Sequence, residues 1–365
     1  MTKFLYIDDD KLRDSKDKVS GFSEKGRLEV EAENNYLGWK EQIDRLRKMD
    51  YDGLILDLKL DEIPVLDGKH ADFRGTSLAQ QLRDYQKEGS FPAFPILLFS
   101  GEEKMKSSLD ATGIDLFDLC IDKGEMNMEV MKNIPNQLED LSNCYKRLNK
   151  KENAVDMLCA VYPVDERFTN TLADLQQDKS AAACVHLLLH EFILKPGLLV
   201  DESLLAARLG VDIKKSGDVW PAILSLFDKA RYQGALGNGW KRWWMRGIND
   251  IWRDMAIGQY LQMMEASERV DVLKKVLGND SIFPAERLRY SESSKFWAVC
   301  RGTDRPIDPV DGFVIAGQEP HYPWQDYFYV SKKAAFLKIN NQQWKNVASS
   351  EKTRLEILKQ EYAGK

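Results

Sequence analysis

The sequence predicts a doubly wound α/β domain on a five-stranded parallel sheet, followed by a mainly helical α+β domain. Five short apolar runs recur within the first 125 residues, and amphipathic stretches separate them. Strand and helix patterns that alternate in this way bury a parallel sheet between two helical layers. Beyond residue 150 the apolar spacing turns mainly helical.

The runs at 4–7, 28–30, 54–56, 96–99 and 116–121 have the length of buried strands. Helix-like segments lie near 37–48, 77–86 and 104–111, and a further helix over 126–148 follows the fifth strand. The polar stretch 149–153 marks a domain boundary. The expected division is 1–148, a linker at 149–154, and 155–365. In the second part, helices are expected over 181–194, 202–209, 219–232, 241–257 and 268–276. β-like stretches follow at 296–300, 313–315 and 327–330, with turns rich in Pro, Gly and Asp. A charged helix over 351–362 closes the chain. The sequence contains no internal repeat and no low-complexity tract.

The 365 residues are 43% hydrophobic and 30% charged, the composition of a globular protein. No stretch approaches the roughly 20 apolar residues that span a bilayer; the most apolar run, 187–194, is broken by His190 and Glu191. Asp8 follows the N-terminus too closely for a signal peptide, so a cytoplasmic location is expected. The five scattered cysteines then read as reduced thiols. The net charge of −6 argues against nucleic acid as the main partner. The acidity is local: residues 1–150 carry 23 Lys and Arg against 30 Asp and Glu, or −7, which leaves +1 for the remainder.

Open parallel sheets bind ligands beyond the C-terminal ends of their strands. The first strand here runs into Asp8, Asp9 and Asp10. The third ends at Asp57, the fourth at Ser100, and the fifth at Lys123. Crowded carboxylates repel one another and need a cation, and an all-oxygen set of this kind suits Mg²⁺. A metal beside one carboxylate neutralises an incoming phosphoryl group. A hydroxyl and an ammonium complete a shell around the phosphoryl oxygens. The spacing fits an Asp nucleophile that forms an acyl phosphate.

Over residues 1–148 this set resembles the receiver domain of bacterial response regulators, a flavodoxin-like fold. The resemblance implies Asp57 as phosphoryl acceptor, with Ser100 as the switch hydroxyl and Lys123 as the lysine that pairs with the phosphoryl group. It also implies a Mg²⁺ site made by Asp8, Asp9, Asp57 and the backbone carbonyl of Lys59. A histidine kinase would be the donor. Three positions depart from the family pattern. The loop over 58–74 is long, and its extra residues could cover the site or meet a partner. Gly124 replaces the proline that usually follows the lysine. Cys120 stands where an aromatic ring usually couples the switch hydroxyl to the output face. In addition, Lys59 and Glu102 are expected to pair across the site, hinder attacking water and prolong the life of the phosphoryl group.

The C-terminal part resembles no recognised family. His186 and His190 share one helix face and could bind Zn²⁺, but the pattern is that of an amphipathic core helix. The segment 202–211 and the helix after it could form a helix-turn-helix, yet that helix offers few groups able to reach base edges. Trp240, Trp243, Trp244 and Arg246 interleave rings with cations, which suits a partner-binding surface. No nucleophile–base set is visible, so turnover beyond autodephosphorylation is not expected. The main functional expectation is a two-component signalling protein with a phosphorylated receiver and a C-terminal protein-interaction domain. The alternatives are a phosphate sink or relay that shares a kinase with a second receiver protein, with a bacterial defence system as one setting for it, and a phosphorylation-controlled DNA-binding regulator.

Overall fold

The fold is described from a computed structural model covering residues 1–65, 67–108, 111–318 and 322–363. The first elements are β1 (Thr2–Asp8), α1 (Leu12–Val19), β2 (Leu28–Asn34), α2 (Trp39–Leu46), β3 (Gly53–Leu56) and α3 (Gly75–Lys87). Next come β4 (Ile96–Ser100), α4 (Glu102–Ser108), α5 (Ala111–Ile114), β5 (Leu119–Asp122) and α6 (Met128–Asn149). The helix expected over 104–111 thus appears as α4 and α5, with 109 and 110 outside the described residues. The strands form one sheet in the order β2-β1-β3-β4-β5, and every pairing is parallel.

Alternation along the strands divides the core between the two faces. Leu5, Ile7, Leu54, Leu56, Ile96 and Leu98 pack with Ile43 and Leu46 of α2 and with Leu78 and Leu82 of α3. On the other face, Phe99 packs 5.7 Å from Tyr6 and 5.1 Å from Phe22, ring centroid to ring centroid. Full burial of each such side chain contributes about 1.5–3 kcal/mol. α1 has no place in the apolar pattern, because only Ser15 and Val19 of its eight residues are buried. Packing against β2, not its own periodicity, holds it.

Compact packing divides the chain elsewhere than at 149–154. One unit comprises 1–193 with 233–240, and the other 194–232 with 241–365. In the first unit, α7 (Glu166–Gln177) and α8 (Ala181–His186) follow α6, and α8 packs on α6. The helix expected over 181–194 changes after His186 into a π-helical segment, Leu187–Ile193. There His190 Nε2 lies 3.0 Å from the carbonyl oxygen of Asp118. The Asp118 carboxylate accepts bonds from Arg83 (2.8 Å), Tyr145 (2.7 Å) and the amide of Ile96 (2.8 Å). The segment 233–240 joins this unit through Asp140, which accepts the amides of Asn238 (2.8 Å) and Gly239 (2.7 Å). A Cβ at Gly239 would lie 2.8 Å from Cα of Gln137, so only glycine fits this approach without a shift.

The second unit is mostly helical with small antiparallel pairs. It contains β6 (Leu199–Val200), α9 (Glu202–Leu209), α10 (Ile213–Ser216), α11 (Trp220–Leu226), β7 (Trp243–Trp244), α12 (Met245–Met255) and α13 (Ala266–Leu277). β8 (Ala298–Val299), β9 (Pro306–Ile307), β10 (Gly312–Val314), β11 (Tyr329–Ser331), α14 (Lys332–Leu337) and α15 (Lys352–Ala363) complete it. The antiparallel pairs are β6 with β7, β8 with β9, and β10 with β11. Trp220, Trp243 and Trp252 share its larger core with Leu205, Ile223 and Ile248. No helix among the described residues is long and apolar enough to cross a membrane.

Candidate functional site

The site lies where β1, β3, β4 and β5 end. Asp8 closes β1, and Asp57 follows β3 directly, its amide held 2.9 Å from the Ile7 carbonyl. Ser100 closes β4, and Lys123 follows β5 with its amide 3.0 Å from the Ser100 carbonyl. Parallel register therefore sets the group in place: β1 aligns with β3 and β4 with β5, so the four ends share one edge. Asp8, Asp57 and Ser100 are each at most 2% exposed.

The structure brings together the residues singled out in the sequence. Lys123 Nζ lies 2.5 Å from Asp57 Oδ1 and 3.4 Å from Asp8 Oδ2. Its ammonium sits over the rings of Phe99 (5.3 Å) and Tyr6 (5.8 Å). Asp57 Oδ2 accepts the Lys59 amide at 2.9 Å. Asp9 Oδ2 accepts the amides of Glu62 (2.9 Å) and Ile63 (2.7 Å), which ties the long loop to the end of β1. Ligand oxygens of Asp8, Asp9 and Asp10 all lie within 4.8 Å of one another. Ser100 Oγ is buried without a hydrogen-bond partner. Buried hydroxyls are normally satisfied, so Ser100 Oγ is left able to donate to an acceptor brought to these strand ends. An open cavity of about 540 Å³ borders Asp57 and Lys123 and is lined also by Lys18, Glu102, Glu103 and Asp122.

Burial alone would raise the carboxyl of Asp8. The Lys123 charge and the bonds from Lys18 and Tyr6 outweigh it and hold the group well below the usual carboxylate range. Asp9 moves the other way. Burial pushes it up, Asp8 and Asp57 add to the rise, and the bonds from Ile63 and Glu62 only partly oppose it. One acid of the cluster is thus held in its ionised form, and its neighbour is held back from ionising by burial first and by the nearby carboxylates second.

Three residues important to this geometry were not singled out in the sequence. Lys18 reaches from α1 to Asp8 Oδ2 at 2.8 Å and also bonds Asp10. Its helix lacks an apolar stripe, which hid it. Tyr6 donates to Asp8 from a buried strand position. Gly75 opens α3 against the Asp57 carbonyl, where any Cβ would clash; the signal was a glycine at the end of a long loop.

Some expectations are corrected, and others gain a structural context. Lys59 does not face Glu102 in a pair. Its ammonium bonds Glu62 at 2.8 Å, and Glu102 pairs with Lys106 one helical turn away. The 58–74 loop is anchored: Leu58, Leu60, Ala71 and Phe73 are buried in the core, and Arg74 Nε lies 3.0 Å from Asp61. Leu66 lies outside the described residues. Trp240, Trp243 and Trp244 form no contact surface, because their rings are 6%, 4% and 1% exposed. Trp240 belongs to the first unit and the other two to the second, so the basic aromatic stretch is divided; Arg246 alone of the four is exposed. In the suspected helix-turn-helix, α11 buries Trp220 and Ile223, and its solvent side carries Pro221, Ala222 and Ser225. Cys120, which departs from the family pattern, is exposed on β5.

No protein-family model matches the chain, and no curated protein matches it. Solved response-regulator structures do. The response regulatory domain of mrkE from Klebsiella pneumoniae is 14% identical; the match covers 40% of this chain and 99% of that one, with a TM-score of 0.28. The response regulator LqsR of Legionella pneumophila is 14% identical, with 63% and 75% covered and a TM-score of 0.28. RcsB of Salmonella enterica serovar Typhimurium, solved bound to a promoter, is 15% identical, with 48% and 98% covered and a TM-score of 0.26. At such values the fold rests on this chain's own strand order. That order, with the acidic cluster beside it, defines a receiver-like domain followed by an unassigned, mostly helical region.

Proposed function

We propose that the chain is a two-component signalling protein whose receiver-like unit accepts a phosphoryl group on Asp57. One observation carries the reading: at a single sheet edge, Asp57 meets the Lys123 ammonium while the buried Ser100 hydroxyl lacks a partner. A carboxylate oxygen of Asp57 forms the new P–O bond as the P–N bond of a kinase phosphohistidine breaks, and the imidazole leaves with a proton. Lys123 is placed to exchange its bond with Asp57 for one with a phosphoryl oxygen, and Ser100 to donate to another. The donor set is all oxygen and fits Mg²⁺, which Asp8, Asp9, Asp57 and the Lys59 carbonyl would hold. Bound there, Mg²⁺ supplies positive charge against the phosphoryl oxygens.

Acetyl phosphate with Mg²⁺ should add one phosphoryl group by intact mass, and Asp57→Asn should remove the addition. A full adduct on the Asp57→Asn protein contradicts the assignment. Output is proposed to run to a protein partner through the second unit, since phosphorylation adds about two negative charges to an already acidic unit. A phosphate sink or relay is the second reading, favoured by Cys120. A small thiol cannot follow Ser100 inward as a ring would, so phosphate can be held with little switching. DNA binding finds no support in the short, uncharged solvent side of α11.

A further inference from the structure

We infer that the Lys18 ammonium is a tethered cation that occupies the acidic cluster in the resting protein and must leave Asp8 before a divalent ion can bind there. This inference rests on the Mg²⁺ site proposed above.

Lys18 lies in the last turn of α1. Its ammonium is 2.8 Å from Asp8 Oδ2 and also bonds Asp10, so it bridges two of the three clustered carboxylates. Asp8 Oδ2 is crowded: it accepts Lys18, the Tyr6 hydroxyl and, at 3.4 Å, Lys123. An oxygen with three donors around it has no lone pair directed at a metal, and an ion approaching through Asp8 Oδ1, which accepts the Asp10 amide at 3.3 Å, would still meet the charge of the Lys18 ammonium on the same carboxylate. The donors are unequal in mobility. Tyr6 is wholly buried on β1, and Lys123 is shared with Asp57. Lys18 and Lys123, 31% and 25% exposed, both line the open cavity, but Lys123 is also held by the buried Asp57, whereas the other partner of Lys18, Asp10, is itself a third exposed, so Lys18 is the freer of the two to leave.

The charges point the same way. Asp8, Asp9, Asp10 and Asp57 face two ammonium groups, Lys18 and Lys123. Without Lys18 the repulsion among the carboxylates would be relieved only by Lys123 and by whatever cation solution supplies. With Lys18 in place the cluster is tolerable in the metal-free protein, at the expense of metal affinity. The released ammonium keeps Asp10 within reach, and Glu102, Glu103, Asp122 and Glu125 line the same cavity. Lys18 therefore sets the threshold at which Mg²⁺ charges the site, and through it the Mg²⁺ concentration at which Asp57 becomes a competent acceptor.

The test is calorimetric titration of the full-length protein with Mg²⁺, alongside Lys18→Met, Lys18→Arg and Asp8→Ala. Removing one unit charge a few ångströms from the ion should tighten Mg²⁺ binding by roughly tenfold in Lys18→Met. Lys18→Arg keeps the charge and should stay near the parent, with circular dichroism as the folding control. Equal affinity in the parent and Lys18→Met, lost in Asp8→Ala, overturns the role of Lys18 and leaves the receiver reading intact. Mg²⁺ binding that Asp8→Ala does not weaken, or no binding by any of the four proteins, overturns both. Amine labelling of the unmutated protein tests displacement directly: Lys18 should label slowly in EDTA and several-fold faster in saturating Mg²⁺. An unchanged rate also overturns the inference.

Discussion

Buried charge is handled differently at the strand ends of the first unit and at two buried pairs of the second, although the first unit also has a matched pair in Arg83 and Asp118 and the second a partly unsatisfied buried Arg269. In the second unit, Lys332 and Asp311 are 5% and 1% exposed and pair at 2.8 Å. The other Asp311 oxygen accepts the amides of Glu292 (2.8 Å) and Ser293 (2.9 Å). Arg208 is likewise buried and bonds Asp326 at 2.5 Å. In the first unit, Asp8, Asp9, Asp10 and Asp57 crowd one edge around Lys18 and Lys123, while Ser100 has no partner. Matched charges fix a structure, whereas an acidic excess beside a cavity stores repulsion that a ligand can release. The contrast is what the proposed chemistry at the strand ends rests on.

Removing one partner of the matched pair should have the largest effect. Asp311→Ala strands the Lys332 ammonium and should cost about 3–5 kcal/mol in urea unfolding. A loss below 1 kcal/mol would mean that the pair is not buried as described. Metal should act next, and only on the unmatched edge. At about ten times its dissociation constant, Mg²⁺ should stabilise the protein by roughly 1.4 kcal/mol, and Asp8→Ala should abolish the gain. Equal stabilisation of the Asp8→Ala protein would place the ion elsewhere.

A smaller effect separates the acids themselves. Asp9→Asn keeps an oxygen for the Glu62 and Ile63 amides and removes a charge that burial first, and then Asp8 and Asp57, oppose. In EDTA it should leave stability within about 0.5 kcal/mol of the parent, on the stabilising side. A clear loss would show that the cluster is already balanced.

The smallest effect is a pH response in the first unit. Burial first, then His186, holds the His190 imidazole below its ordinary value. The unfolded chain therefore binds the proton more readily. Stability should be full above about pH 6.5 and decline as pH falls below it. His190→Asn should flatten the decline between pH 7 and 5 in thermal melts, and an unchanged slope would remove His190 from the account.

The sheet and its charged ends were legible because buried strands announce themselves as apolar runs and each run stops at a polar residue. Asp57, Ser100 and Lys123 could be placed at strand ends on that basis alone. α1 was not legible, since its residues 12–19 carry almost no apolar stripe, and Lys18 went unnoticed with it. The Trp240–Arg246 stretch misled for the opposite reason. Rings interleaved with cations look alike on a surface and in a core, and only burial in two different units decides between them. The extent of the first unit was equally hidden. Asp140 captures 233–240 across a gap of some hundred residues, which local patterning does not reveal.

The central claim is that Asp57 is the acceptor, and borohydride trapping tests it most directly. Hydride reduces an acyl phosphate to an alcohol, so an aspartyl phosphate becomes homoserine at the modified position. Treatment with acetyl phosphate and Mg²⁺, then borohydride and peptide mapping, should yield homoserine at position 57 in the parent and none in EDTA. Homoserine at another acidic position, with Asp57 intact, would contradict the account.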